Sequence, residues 1–277
     1  MNQRILTLTA YLFRSLLFSL AGLLYILVAL AFYLVLFEPR QHTPDVDYYF
    51  LVLGIFGLAL SFLATLSVSS RANKAEQFPL LVRLPSRVEY LTAAMLASIL
   101  FAFLLQIGIA LLAKFVNGPV LDIQQVLVIL PVWLAIDILF VVLALHATDL
   151  VALGWSRVYI YGALGFLLYL QNGNALIRDW LAGMFRDLGA SMLGRGLDGL
   201  SAIAYDLSSW LSTTGANLIN QIFGLVFWPF SAITNAAVSG SFTLSQALAP
   251  AIILLYATGL FILAATLFSK KDLFLTE

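Results

Sequence analysis

Residues 126–147 read VLVILPVWLAIDILFVVLALHA, a run whose only acid is Asp137 and whose only titratable base is His146. A helix of about 20 apolar residues crosses a bilayer, so this stretch reads as a membrane span. Its neighbours repeat the signal. Residues 15–37, 48–69, 89–113 and 248–268 are of similar length and oiliness. The stretch 156–171 is shorter but uninterrupted, with Trp155, Tyr159 and Tyr161 as interfacial anchors. The expected fold is all-α: a polytopic membrane protein with six transmembrane helices.

Composition agrees. Of 277 residues, 62% are hydrophobic and 10% charged, where a soluble domain carries about 25% charged residues; mean hydropathy is +1.00. Formal net charge is zero and there is no basic tract, so nucleic acid is not an expected partner. Cysteine is absent, which excludes disulfides, thiolate metal sites, iron–sulfur clusters and covalent c-type haem. No phosphate-binding G-x-x-x-x-G-K-[ST] loop is present, and no serine–histidine–acid set stands out. The chain is therefore expected to be no enzyme by itself and to need no cofactor.

Arg4 and Arg14 precede the first apolar run, as in a signal peptide, but 15–37 is far longer than a signal core of about 7–15 residues and no small-residue cleavage site follows. It is read as a retained first span. Orientation follows from lysine and arginine placement. With six spans and the N-terminus inside, most basic residues of the short loops become cytoplasmic, Arg71, Lys74, Arg83, Arg87, Lys270 and Lys271 among them. Both termini are then cytoplasmic and the location is the plasma (inner) membrane. His42 and His146 fall on opposite sides and cannot share a metal.

Residues 172–246 have a different character, and form an enlarged extracytoplasmic helical region between spans five and six. Leu176, Ile177, Trp180, Leu181, Met184, Phe185 and Leu188 recur at helical spacing, opposite Arg178, Asp179, Arg186 and Asp187. After GRGLDG (194–199) the pattern resumes with Leu197, Leu200, Ala204, Leu207 and Leu211. Helices with one oily and one charged face lie at an interface or pack on a partner. The stretch 218–238 is oily enough to span, but Asn220, Gln221, Pro229 and Asn235 and the parity of the termini favour a re-entrant or interfacial hairpin over a seventh span.

Within the spans, an ionised aspartate at a helix centre costs about 2.5–3.5 kcal/mol on insertion scales. Asp137 is either a pathway or proton-relay residue, or a protonated or hydrogen-bonded side chain inside the bundle that reaches Gln106. His146 and Asp149 read as an ordinary helix end. Gly57 with Ser61, and Gly162 with Gly165, read as small residues that permit close helix contact.

Between the second and third spans the chain turns basic. In the loop 70–88, QFPLLVRLPSR (77–87) sets Phe78, Leu80 and Leu81 beside Arg83 and Arg87, with Pro79 and Pro85 as breaks. Ser86 and Glu89 have the spacing of a capping box that would start the third span. A short helix here either anchors in lipid headgroups or docks on a cytoplasmic partner. The pattern Glu76-x-x-Pro79-Leu80-Leu81-x-Arg83-Leu84-Pro85-x-Arg87-x-Glu89-Tyr90-Leu91 resembles the coupling region of ABC-2-type transporter permeases. The amphipathic lead-in MNQRILTLTAYLFR and the tail LFSKKDLFLTE resemble that family too.

The resemblance implies a single transmembrane domain over 1–277 that works as a dimer with a second copy or a paralogue. It implies a cytoplasmic ABC ATPase subunit that docks through Glu76, Phe78, Pro79, Leu80, Leu81, Arg83 and Arg87, and export of lipids, polysaccharides, drugs or peptides. Two other classes stay open. One is a non-transporting structural subunit of a larger membrane complex. The other is an ion-coupled secondary transporter using Asp137.

Overall fold

The computed structural model describes residues 2–38, 45–72, 84, 86–151, 155–239 and 244–270. Every regular element among them is a helix. The chain divides into two compact units, one formed by 1–157 and 229–277, the other by Val158–Trp228.

In the first unit, α1 (Asn2–Leu17) and α2 (Leu20–Leu36) meet at a bend of 67°. α1 is amphipathic: Leu8, Leu12 and Leu16 repeat every four residues and are buried, while Arg4 and Arg14 are exposed. Ser19 makes the bend. Its hydroxyl donates to the Leu16 carbonyl at 2.6 Å and accepts from the Gly22 amide at 3.2 Å, which closes one helix and opens the next. Gly22 is required there, because a Cβ would run into the Leu16 carbonyl and sit 2.9 Å from that of Leu17. The N-terminal lead-in and the first apolar run are thus two helices at an angle.

Three long helices make the centre: α3 (Val46–Ala72), α4 (Arg87–Val116) and α5 (Ile123–Ala147). α3 packs on both α4 and α5, and α10 (Ala249–Lys270), which follows the single-turn α9 (Leu244–Ala247), packs on α5. At about 1.5 Å per residue these four helices are each roughly 33–45 Å long, enough for a hydrocarbon core of about 30 Å. α2 runs antiparallel to α3. Tyr25 donates to the Leu63 carbonyl at 3.1 Å and lies 2.6 Å from the Ser67 hydroxyl, while Tyr48 donates to the Leu36 carbonyl at 3.0 Å. Asn117, just past α4, donates to the carbonyls of Phe37 and Glu38 and satisfies the end of α2.

α4 begins at Arg87 after an extended Ser86, where Pro85 and Ser86 place it, but the capping box is not formed. Ser86 makes no side-chain cap bond, and Glu89 turns into the protein, 7% exposed. The box forms one loop later, where Gln125 Oε1 accepts from the Asp122 amide at 3.0 Å ahead of α5.

The second unit contains most of α6 (Trp155–Leu193), all of α7 (Asp198–Ser212) and the first part of α8 (Thr214–Ser239). The chain does not break at Gln171, so the apolar 156–171 and the amphipathic 172–193 are one helix. Likewise 218–238 is no hairpin: α8 continues through Pro229. Gly196, at φ 73°, ends α6, with the Leu197 and Gly196 amides returning to the Met192 and Leu193 carbonyls. α7 then folds back on α6 through small residues. Ser201 donates to the Gly189 carbonyl at 2.9 Å and Ser208 to that of Ala182 at 2.8 Å. The large apolar side chains of the oily faces, Trp180, Met184, Leu188, Leu200 and Leu207, are exposed.

Four helices among the described residues (α3, α4, α5 and α10) are long and apolar enough to cross a membrane, five if the bent pair α1–α2 counts as one span. The protein is an all-helical chain whose apolar helices are compatible with a multi-pass membrane protein. The six-span count is not reached, because α6, which contains the expected span 156–171, is not among those helices.

Candidate functional site

The side chains expected to contact an ATPase fall mostly outside the described residues: Glu76, Phe78, Pro79, Leu80, Leu81 and Arg83 all do. Arg87 is described and half-buried at the first position of α4. At the end of α3 that leads into this loop, Arg71 donates to both the carbonyl and the hydroxyl of Ser15 at 2.6 Å. That contact ties α1 to the end of α3.

The other two candidates, Gln106 and Asp137, lie in the core, in a polar seam along one face of α3. At its start the Trp133 indole donates to the Phe50 carbonyl at 3.1 Å. One turn on, the Gln106 amide donates to the Leu53 carbonyl at 2.9 Å. These carbonyls belong to a helix and already accept from their own chain, so a second donor needs an open approach. Gly54 and Gly57 supply it. The Trp133 Nε1 lies 3.3 Å from where a Gly54 Cβ would be, and the Gln106 amide fills the space of a Gly57 Cβ. By contrast a Cβ at Gly162 or Gly165 would meet nothing, so those two glycines serve no tight contact.

One further turn along α3 is Ser61, which faces Asp137 of α5. Both residues are 0% exposed, as is Gln106. The Ser61 hydroxyl lies near the Asp137 carboxyl without reaching good hydrogen-bond geometry, and neither Asp137 oxygen, the Ser61 hydroxyl nor the Gln106 Oε1 has a well-aligned partner. Gln106 therefore spends its amide nitrogen on Leu53 and makes no bond to Asp137. A buried helical hydroxyl ordinarily donates to the carbonyl four residues back, as Thr65 and Ser98 do here. Ser61 does not.

Compared with known proteins, the chain matches no family model, no curated protein and no solved structure.

Towards the far end of α5, His146 is buried and its Nε2 lies 3.0 Å from the Leu260 carbonyl of α10. It is more than a helix end: it joins two helices. Among the described residues no group of three or more His, Cys, Asp or Glu side chains could hold a metal, and the only ion pair is between adjacent Arg178 and Asp179 on α6. Hence among the described residues no cationic side chain pairs with Asp137. Sequence reading missed Ser61 as its counterpart and missed the burial of Glu89, whose Oε2 is also unpartnered. Spacing alone shows neither, since both depend on which neighbouring helix each residue meets.

Proposed function

We propose that this chain is the membrane-spanning subunit of an ABC-2-type exporter, driven by a separate cytoplasmic ATPase and paired with a second copy or a paralogue in the plasma (inner) membrane. The observation that carries the reading is the basic, proline-bounded segment between two long antiparallel apolar helices. It leaves α3 after Arg71, carries Phe78, Leu80 and Leu81, and re-enters at Arg87 at the head of α4. The amphipathic α1, set off from α2 by a sharp bend and held to Arg71, supports it as a lead-in to the same end of α3.

Mechanically, a docking segment must transmit force to the helices it joins. α3 and α4 are locked to each other by Gln106 and by the Tyr49 hydroxyl, which donates to the Ala110 carbonyl at 2.8 Å. A push on the segment between them would therefore move the pair as one body. The deciding experiment is affinity purification of Leu81→Asp and Phe78→Asp. Burying an unpaired charge in a docking cleft costs several kcal/mol, enough to dissociate a micromolar contact, so both variants should insert normally yet lose ATPase co-purification. If both retain the ATPase and stimulated hydrolysis, the exporter reading fails and the structural-subunit reading replaces it.

A further inference from the structure

We propose that Asp137, Ser61 and Gln106 form a binding site for one monovalent alkali cation, of the Na+ type, buried between α3, α4 and α5. The argument starts from what these groups lack. Every unpartnered atom of the three is an oxygen: the two carboxylate oxygens of Asp137, Oγ of Ser61 and Oε1 of Gln106. The assignment of Gln106 is fixed by chemistry, because only its NH2 can donate to the Leu53 carbonyl. Its oxygen is thus left over. The site is rich in acceptors and poor in protons, with the Ser61 hydroxyl hydrogen and the second amide hydrogen of Gln106 against four oxygens.

Buried oxygens in that ratio cannot satisfy each other by hydrogen bonding, and each one left bare carries a desolvation penalty. A hard cation satisfies all of them at once, since oxygen ligands are what such ions take. The charge fixes its valence. Asp137 supplies one negative charge, and Arg178–Asp179 on α6 is the only ion pair among the described residues. The other buried acid, Glu89, lies 17 residues before Gln106 on α4, about 25 Å along the helix. One monovalent ion neutralises the site, whereas a divalent ion would leave an uncompensated buried charge.

The surrounding sequence brings these groups to one level of α3. Gly57 lets the Gln106 amide lie against α3, and Ser61 follows one turn later, roughly 6 Å along the axis. The Ser61 hydroxyl forgoes the bond to its own helix that Thr65 makes, and faces Asp137. Bound there, the ion would staple one residue from each of three helices. This does not rest on the exporter reading, because its test reads the purified chain alone.

The experiment is thermal unfolding of the full chain in detergent, in chloride salts of Na+, K+ and N-methylglucamine at equal ionic strength and fixed pH. The expected result is a saturable rise in Tm of several degrees with Na+ over N-methylglucamine, as for any ligand that binds only the folded state. Asp137→Asn should remove the Na+ increment, and Ser61→Ala should shift half-saturation to several-fold higher Na+. If Asp137→Asn does not fold, the wild-type titration and Ser61→Ala carry the test. Equal Tm in Na+ and N-methylglucamine overturns the proposal, as does a Na+ increment that survives Asp137→Asn. A Tm that follows pH but ignores Na+ also overturns it, and assigns the site to a proton.

Discussion

The side chain of Gln106 occupies the place where Gly57 has no side chain, and from there its amide bonds the Leu53 carbonyl at 2.9 Å. One glycine and one glutamine thus set how closely α3 and α4 approach. In a membrane, apolar surface alone does not hold helices together, so contacts of this kind carry the association.

Gly57→Ala should therefore be destabilising, because the added methyl needs the volume of the Gln106 amide. Overpacking of this sort costs about 1–3 kcal/mol, read as a fall in Tm in detergent. Gly162→Ala is the control. Nothing lies within 4 Å of its Cβ position, and replacing a helical glycine by alanine favours the helix by roughly 0.5–1 kcal/mol. Equal effects at the two positions would mean that α3 and α4 are not in contact at Gly57.

Arg71 holds α1 through two bonds to Ser15. Arg71→Ala should release the C-terminal turns of α1 and leave α3 itself intact. Amide hydrogen exchange should then rise over residues 8–17 and stay unchanged over 50–65. Arg71→Lys should recover only part of the protection, since an ammonium cannot present the paired donors of a guanidinium.

Sidedness separates the span counts. The chain has no cysteine, so single cysteines report without background, and Ser70, Asp122 and Ser269 are all exposed whereas Ser69 is buried. Ser70→Cys and Asp122→Cys should label from opposite sides, because α4 lies between them. With six spans Ser269→Cys labels from the same side as Ser70→Cys. If only α2, α3, α4, α5 and α10 cross, it labels from the other.

In the second unit, Ser201→Ala and Ser208→Ala each remove a buried hydroxyl bond to the opposite helix. Each should cost about 1 kcal/mol. The two are separated by two helical turns with no shared partner, so the double variant should lose close to the sum, measured as protection of the 180–210 amides.

Reading the chain alone predicted an all-helical protein with helices apolar enough for a membrane. A single apolar run such as 126–147, if placed in lipid, satisfies its backbone by itself only as a helix, and that argument needs no knowledge of neighbours. The amphipathic lead-in, the start of α4 at Arg87 and the stop at GRGLDG were legible for the same reason: periodicity, proline and glycine act locally. What tertiary structure decided was everything that depends on a partner helix. It made α6 one helix across Gln171, although the turn signal Asn172-Gly173-Asn174 stands there, and turned Glu89 inward instead of leaving it in a capping box. It put Ser201 and Ser208 in the α6–α7 seam and Trp180 and Met184 outside it. Above all it set Ser61 opposite Asp137 and gave Gln106 to Leu53. Sequence separations of 76 and 53 residues carry no periodic signal, so which buried oxygens face one another is written only in how α3, α4 and α5 pack.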